Sequence, residues 1–584
     1  MILLTMPRNS LIKTISPPIV LLILLLFVIP DQLVFASEPP VIFYTDITSG
    51  PNSGGEDNLG CYLTINGKRF GSFRGTSTVS IGGGEVTRYI VWSDDKIAVQ
   101  LGSSAVTGDI TVNTSEGSAN APEDFTVRPG NFYFIAVDGI DETGVVNDIT
   151  HPYRSTWYVQ NLVGFGAGDF IVVRGGTYNL LTLRAAGKLN YDRWLSISVE
   201  NQIGTANNEI TVYGYPGETP IVWWGDTASG YDMYGVKANQ PDGDYWNICN
   251  ITFDLDEYGG PYAMQLGFHN LEEQLEHARL VNITVRGGMG ALNGTNLMTL
   301  HKVDYLKMYG LDIGEQSSLT PSNNESHMVY LKQQYTNADI GWCYLHDNKY
   351  GRAAMQIYGD QASDENNINV RVHDCRFENL PLEAVIMGIG SKEVYFYNNI
   401  INNVQTRKVP GFSAIHVQGA HLYNEPSGEY YLYNNVFYSD TESVGIIKLG
   451  YQAATLLPNH ITMHNNIFHP ITNTTEYYFI ASTYLDPATD FTFDNNAWYN
   501  STQPVPAWAG TNAVITDPKF VDKNNGNFHL QPDSPIKDSG KTISYITRDA
   551  DGFLIPQGDG YSIGAYEVLA AEKTISPPAN LMVW

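Results

Sequence analysis

Basic residues are scarce in this chain. Lysine and arginine number 33 against 61 aspartates and glutamates, a formal net charge of −28 over 584 residues. Phosphate neutralisation needs a basic surface, so nucleic acid is excluded as a partner. An anionic ligand would have to be drawn in by a local basic cluster, because the bulk field repels it. Cysteine is sparse as well. Cys61, Cys249, Cys343 and Cys375 are too few for a disulfide scaffold and lack zinc-site spacing. Charged residues make up only 16% of the chain, and beyond the N-terminus no apolar run is long enough to span a bilayer.

Glycine (55) and tyrosine (37) are plentiful, which fits a β-rich, turn-rich protein, and the length is too great for one compact core. A basic region (Arg8, Lys13), an apolar run from Ile19 to Ile29 and the closing Val34-Phe35-Ala36 read as a signal peptide over residues 1–36. An uncleaved anchor is the alternative. The expectation is a secreted or cell-surface monomer with no membrane span once the signal is removed.

Residues 37–128 carry short alternating strands separated by glycine turns, as in STVSIGGGEVTRYIVWSDDKIAVQL and VTGDITVNTSEGSA. Strands of this length imply a small β-sandwich. In order, LTINGKRFG, WSDDKIAVQL, TGDITVNTSEG and the closing FTV resemble the IPT/TIG immunoglobulin-like family. Such domains are spacers or face carbohydrates and partners, so the resemblance implies no catalysis.

From residue 129 to 568 the texture changes. Nine segments align: WNICNITF, RLVNITV, LKMYGLDI, IGWCYL, VRVHDCRF, YFYNNII, YLYNNVF, TMHNNIF and TFDNNAW. Their equivalent positions are Ile251, Ile283, Leu311, Cys343, Cys375, Asn399, Asn435, Asn466 and Asn496, at a mean spacing of about 31 residues. A repeat of this period with strand-like patterning predicts an all-β solenoid, in which stacking supplies the core that one turn cannot. The four asparagines should form a ladder at an interior turn. Cys343 and Cys375 should sit on adjacent rungs about 4.8 Å apart, as a stacked thiol pair or a disulfide.

These segments resemble the right-handed parallel β-helix superfamily, the pectin-lyase-like fold. GDFIVVRGGTY (168–178) and NEITVYGYPGETPIV look like its opening turns, and residues 517–567 look like its closing segment. Residues 569–584 read as a tail. The superfamily includes lyases, hydrolases, epimerases and non-catalytic adhesins, so the resemblance specifies fold more than activity.

Alternation along MTLHK, VYLK, MQIYG, VIMG, IHVQG and IKLG places two outward stripes side by side. One reads Thr299, Tyr330, Gln356, Ile386, His416, Lys448. The next reads His301, Lys332, Tyr358, Gly388, Gln418, Gly450. His301, Gln356, Tyr358, His416, Gln418 and Lys448 are candidate sugar-binding residues, since aromatic faces stack on pyranose rings and amides and imidazoles bond hydroxyls. No acidic residue belongs to either stripe.

β-Elimination from a uronate needs a neutralised carboxylate, a base and an acid. Lys332 is the candidate base, with His327 and Arg352 lowering its pKa; Arg352 and Gln356 could hold the carboxylate; Tyr330 or His416 could be the acid. β-Helix lyases resembling this chain use Lys or Arg as base, often with Ca²⁺, for which Glu325, Asp360 and Asp364 are candidate ligands. His346-Asp347-Asn348 is read as a turn. The expected function is a polysaccharide lyase on an anionic, uronate-containing polymer. A glycoside hydrolase using Asp360, Asp364 and Glu383, or a non-catalytic carbohydrate-binding adhesin, are the alternatives.

Overall fold

In the computed structural model, described residues run from 38 to 569, except 190–191, 198–201, 226–232, 239–243, 256–261, 268–274, 289–295, 316–325, 334, 350, 360–367, 389, 392, 408–411, 419–427, 443–445, 450–459, 472–477, 481–490 and 500–509. The candidate calcium ligands Glu325, Asp360 and Asp364 lie outside them, as does Gly450 of the second stripe.

Three long parallel sheets of 12, 11 and 10 strands dominate the fold. The first begins with Phe132–Ile135 and Phe170–Val173, the second with Gly176–Asn179, the third with Arg193–Ser196. The chain visits the three in turn, so each strand pairs with its equivalent one coil earlier. This is a parallel β-helix, and parallel crossovers of this kind are right-handed almost without exception.

The coil closes through one repeated turn between the first and second sheets. At Asn250, Asn282, Gly310, Trp342, Asp374, Asn398, Asn434, Asn465 and Asn495 the backbone takes φ between +51° and +63°. Asparagine, aspartate and glycine tolerate that left-handed region, which explains their recurrence. Trp342 is the exception. Its indole is held by Phe43 (5.4 Å, stacked) and by the edge of His373 (4.8 Å), contacts that stabilise an unfavourable backbone.

The residue after each of these turns forms the aligned column, and its members from Cys343 to Asn496 are bonded to one another. Asn399 Nδ2 donates to Asn435 Oδ1 (3.1 Å), Asn435 Nδ2 to Asn466 Oδ1 (2.9 Å) and Asn466 Nδ2 to Asn496 Oδ1 (3.0 Å). Each amide also donates to a carbonyl of the preceding coil, such as Phe396 for Asn435 (2.8 Å). Each carbonyl oxygen accepts a backbone N–H, and all four side chains are fully buried. The column continues into the cysteines: Cys375 N–H donates to Asn399 Oδ1 (2.9 Å) and Cys343 N–H to Cys375 Sγ (3.4 Å). Cys343 and Cys375 are free, buried thiols on adjacent rungs, not a disulfide.

The sandwich consists of two antiparallel sheets and packs on the outer face of the first solenoid sheet. In Phe132–Ile135 and Phe170–Val173, Tyr133, Ile135, Ile171 and Val173 face the solenoid interior, whereas Phe132, Phe134, Phe170 and Val172 join the sandwich core. Burial on both faces explains why these strands are apolar throughout. Cys61 and Cys249, from the two parts of the chain, are free thiols in this shared cluster. Arg279 fixes the junction. Its guanidinium is buried and donates to the carbonyls of Asp46 (3.0 Å) and Thr45 (2.6 Å) and to Glu123 (2.9 Å). The closing segment packs Phe520, Phe528, Leu530, Ile536 and Ile563 on Ile400, Val436 and Ile467 of the second sheet. It also reaches the sandwich through the Lys68–Asp551 ion pair.

His373, beside Trp342, is gripped by two carboxylates, Asp339 at 3.1 Å and Asp374 at 2.7 Å. Burial opposes its charge, but the two carboxylates prevail and raise its pKa to about 9, while Asp339 falls to about 2. The folded-state pKa lies above the unfolded value. The contribution, on the order of 3 kcal/mol, is therefore complete below about pH 6.5 and lost as pH rises through about 9.

Asn435→Ala should lower unfolding stability by about 3–5 kcal/mol, since it orphans several buried groups at once. Asn434→Gly keeps the left-handed turn but loses the acceptor of Asn465 Nδ2 (3.0 Å), and should cost about 1–2 kcal/mol, less than Asn435→Ala. Denaturant titration of both variants checks the pair. For His373→Gln, the loss in melting temperature relative to the parent should be largest at pH 6 and shrink above about pH 9.

Candidate functional site

Pairing in the third sheet reproduces the expected register. Thr299 pairs with Tyr330, Tyr330 with Gln356, Gln356 with Ile386, Ile386 with His416 and His416 with Lys448. In the second stripe His301 pairs with Lys332 and Lys332 with Tyr358, and Gln418 N–H donates to the Met387 carbonyl (2.9 Å). The alternate residues Leu300, Val329, Leu331, Met355, Ile357, Val385 and Ile415 fill the interior.

The strip is more closely packed than an open groove. Tyr330, Lys332, Tyr358 and Lys448 are half-buried, whereas His301, Gln356, His416 and Gln418 are buried. Side chains stacked one rung apart, at about 4.8 Å, cover one another laterally.

At one edge of the strip, Arg352, Glu383 and His416 come together from three successive coils. Arg352 Nε donates to Glu383 Oε2 at 3.2 Å. Glu383 Oε1 lies 3.0 Å from His416 Nδ1, an approach too oblique to count as a hydrogen bond. The Glu383 carboxylate is wholly buried. The two Nη nitrogens of Arg352 have no hydrogen-bond partner among the described residues.

The sequence offered Glu383 as a hydrolase acid near the strip, but not its place on the strip between Arg352 and His416. Strict alternation gives Glu383 the parity of Val385, which points inward. The N–H groups of Ala384 and Val385 both approach the Ala414 carbonyl, at 2.8 and 3.4 Å. Such a bulge-like kink breaks the alternation and re-aims the side chain before it. An acid heading an otherwise apolar strand, EAVIM, is the signal that could have revealed it.

Charge is distributed differently from expectation. His327 is buried and stacks on Tyr330 at 5.2 Å. Burial and then Arg352 push its pKa down to about 3, so it is neutral and adds no positive charge beside Lys332. Neither ring nitrogen of His327 has a hydrogen-bond partner among the described residues. Lys448 is the lysine whose pKa is lowered, first by burial; Glu383 opposes the shift and Arg352 adds to it. Burial raises the Tyr330 phenol well above its usual range, so it stays protonated. His346 bonds Asp312 (2.9 Å) and Asp347 (2.8 Å) at the end of a second-sheet strand, away from the strip. Among the described residues no group of three or more His, Cys, Asp or Glu is arranged to hold a metal ion. A cavity of about 330 Å³ lies elsewhere, between the sandwich and the closing segment, beside Arg69 and Arg548.

Residues 45–127 match the IPT/TIG domain family. No curated protein matches the chain. Among solved structures, it is similar to pectate lyase Pel9A at 14% identity and a TM-score of 0.43, covering 75% of this chain and 96% of that one. An alginate lyase from Paenibacillus sp. str. FPU-7 shares 13% identity over 61% of this chain and 93% of its own, with a TM-score of 0.32. A family 28 exopolygalacturonase of Yersinia enterocolitica shares 10% over 80% and 96%, also at 0.32. At such scores the likeness is general, and the strand register is what establishes the solenoid. The chain therefore joins an IPT/TIG domain, matched over residues 45–127, to a parallel β-helix.

Proposed function

We propose that this protein is a secreted polysaccharide lyase that cleaves a uronate-containing polymer by β-elimination on the third sheet. One observation carries the reading. A lysine whose ammonium is destabilised and a guanidinium whose Nη nitrogens have no hydrogen-bond partner among the described residues share one strip within three rungs. They supply a base and a carboxylate clamp, two of the groups that the reaction needs.

In the proposed reaction the Arg352 Nη nitrogens and the Gln356 amide hold the uronate carboxylate, which acidifies the adjacent C5 proton. Lys448 Nζ, in its neutral form, takes that proton. The C5–H electrons form the C4–C5 double bond as the C4–O bond breaks, and the departing oxygen takes its proton from solvent, because Tyr330 stands four rungs from Lys448. Lys332, between His301 and Tyr358, meets the polymer at the next position along the strand. A retaining or inverting hydrolase would need two carboxylates on this face. Among the described residues the strands of the third sheet carry one acidic residue, Glu383, already engaged by Arg352.

Product formation on pectate, alginate and glycosaminoglycans is followed by the ultraviolet absorbance of the unsaturated uronate. Lys448→Ala should lower kcat about 10²–10⁴-fold. In the parent, kcat/KM should rise with pH along a limb centred below the ordinary lysine value of about 10.4. Lys332→Ala should raise KM more than it lowers kcat. Full activity in Lys448→Ala would remove that residue as base, and new reducing ends without unsaturation would replace elimination with hydrolysis. Activity lost to EDTA and restored by Ca²⁺ would bring Glu325, Asp360 and Asp364 into the site as metal ligands.

A further inference from the structure

A buried carboxylate on the outer face of a sheet calls for a reason. Removing a carboxylate from water is costly unless partners repay the loss, and Glu383 has no exposed surface. Its two oxygens address different coils. Oε2 accepts from Arg352 Nε at 3.2 Å on the preceding coil, and Oε1 stands 3.0 Å from His416 Nδ1 on the following one. Backbone bonding locks the first contact in register, since Glu383 N–H donates to the Arg352 carbonyl (3.0 Å). The kink at Ala384 and Val385 turns the side chain outward, toward both partners.

We infer that Glu383 is a positioning residue, which aims the Arg352 guanidinium at the substrate and fixes the tautomer of His416; this rests on the elimination reading given above. The carboxylate occupies Nε of Arg352, so that the Nη pair alone faces a ligand, the edge that binds a carboxylate in a fork. A small rotation of the His416 ring would complete the Nδ1–H···Oε1 bond. Site hydrogen bonds that are misaligned without ligand commonly tighten in the complex. With Nδ1 protonated, Nε2 becomes the acceptor nitrogen. Among the described residues, Arg352, His416 and Lys448 are the charged or titratable groups that act on Glu383, with His327 beyond Arg352. An inert buried ion pair would share the distances but not the effect on kcat or on the imidazole.

Two measurements on the full chain decide the matter. With ¹⁵N-labelled histidine, the His416 signals, assigned by their loss in His416→Gln, should show a protonated Nδ1 in the parent and a mixture of tautomers in Glu383→Gln. A parent imidazole protonated at Nε2 instead, or shifts unmoved by Glu383→Gln, would overturn the inference. In turnover, Glu383→Gln should lower kcat about 10²-fold with KM altered less than about threefold. The double variant Arg352→Ala/Glu383→Gln should be no slower than Arg352→Ala alone. Additive losses would mean that Glu383 does not work through Arg352. If the parent forms no unsaturated product from any uronate polymer, the elimination reading falls, and the imidazole spectra still decide whether Glu383 orients His416.

Discussion

Rung-on-rung hydrogen bonding between successive coils is the constraint on which the rest of this molecule depends. Parallel strands about 4.8 Å apart can stack only if every coil turns the same corner in the same way. The left-handed residue between the first and second sheets, followed by the buried amide column, supplies that corner. An amide can donate upward and accept downward at once, and so each asparagine satisfies its neighbours while being satisfied by them. Where the column changes to Cys375 and Cys343, the bonding weakens from amide–amide contacts to N–H···S contacts, and the left-handed position passes to Asp374 and Trp342. At that point outside support appears: His373 with its two aspartates, and the Phe43 ring of the sandwich.

That support links the two parts of the chain. The sandwich covers the outer face of the first sheet over its early coils, and the closing segment covers the second sheet over its late ones. Arg279 and the Lys68–Asp551 pair join the covers to the solenoid and to each other. The IPT/TIG domain is thus part of the packed structure, with a core continuous with the first sheet. Among the described residues neither cover makes a hydrogen bond or ring contact with the third-sheet strip, and that strip holds the polar and aromatic residues that suit a polymer. In this architecture the location of the candidate site follows from what the other two faces have to bury.

Much of the fold was legible because a solenoid repeats. All nine equivalent positions of the repeat fall in one column, from Ile251 to Asn496, since each must occupy the same corner of its coil. The outward stripes were legible for the same reason: once Leu300, Leu331 and Ile357 are set inward, period two fixes Tyr330, Gln356 and His416 on the other face. Less legible were the consequences of burial. Lys332 looks like the central lysine in sequence, yet burial and Arg352 lower the pKa of Lys448, on the adjacent stripe four coils further along. His327 looks like a positive neighbour, yet its desolvation leaves it neutral.

The sequence alone determined the all-β class, the coil period, the amide ladder and the strand register, because these rest on local alternation and on a turn that only a few residue types accept. Tertiary structure decided that the apolar outer faces of Phe132–Ile135 and Phe170–Val173 would be covered by the sandwich, that the cysteine pairs would remain thiols, and that Glu383 would join the strip. The last depends on two N–H groups converging on one carbonyl, a departure from alternation that no residue pattern encodes. Charge states followed in turn, since desolvation is a property of the assembled neighbourhood and not of the residue.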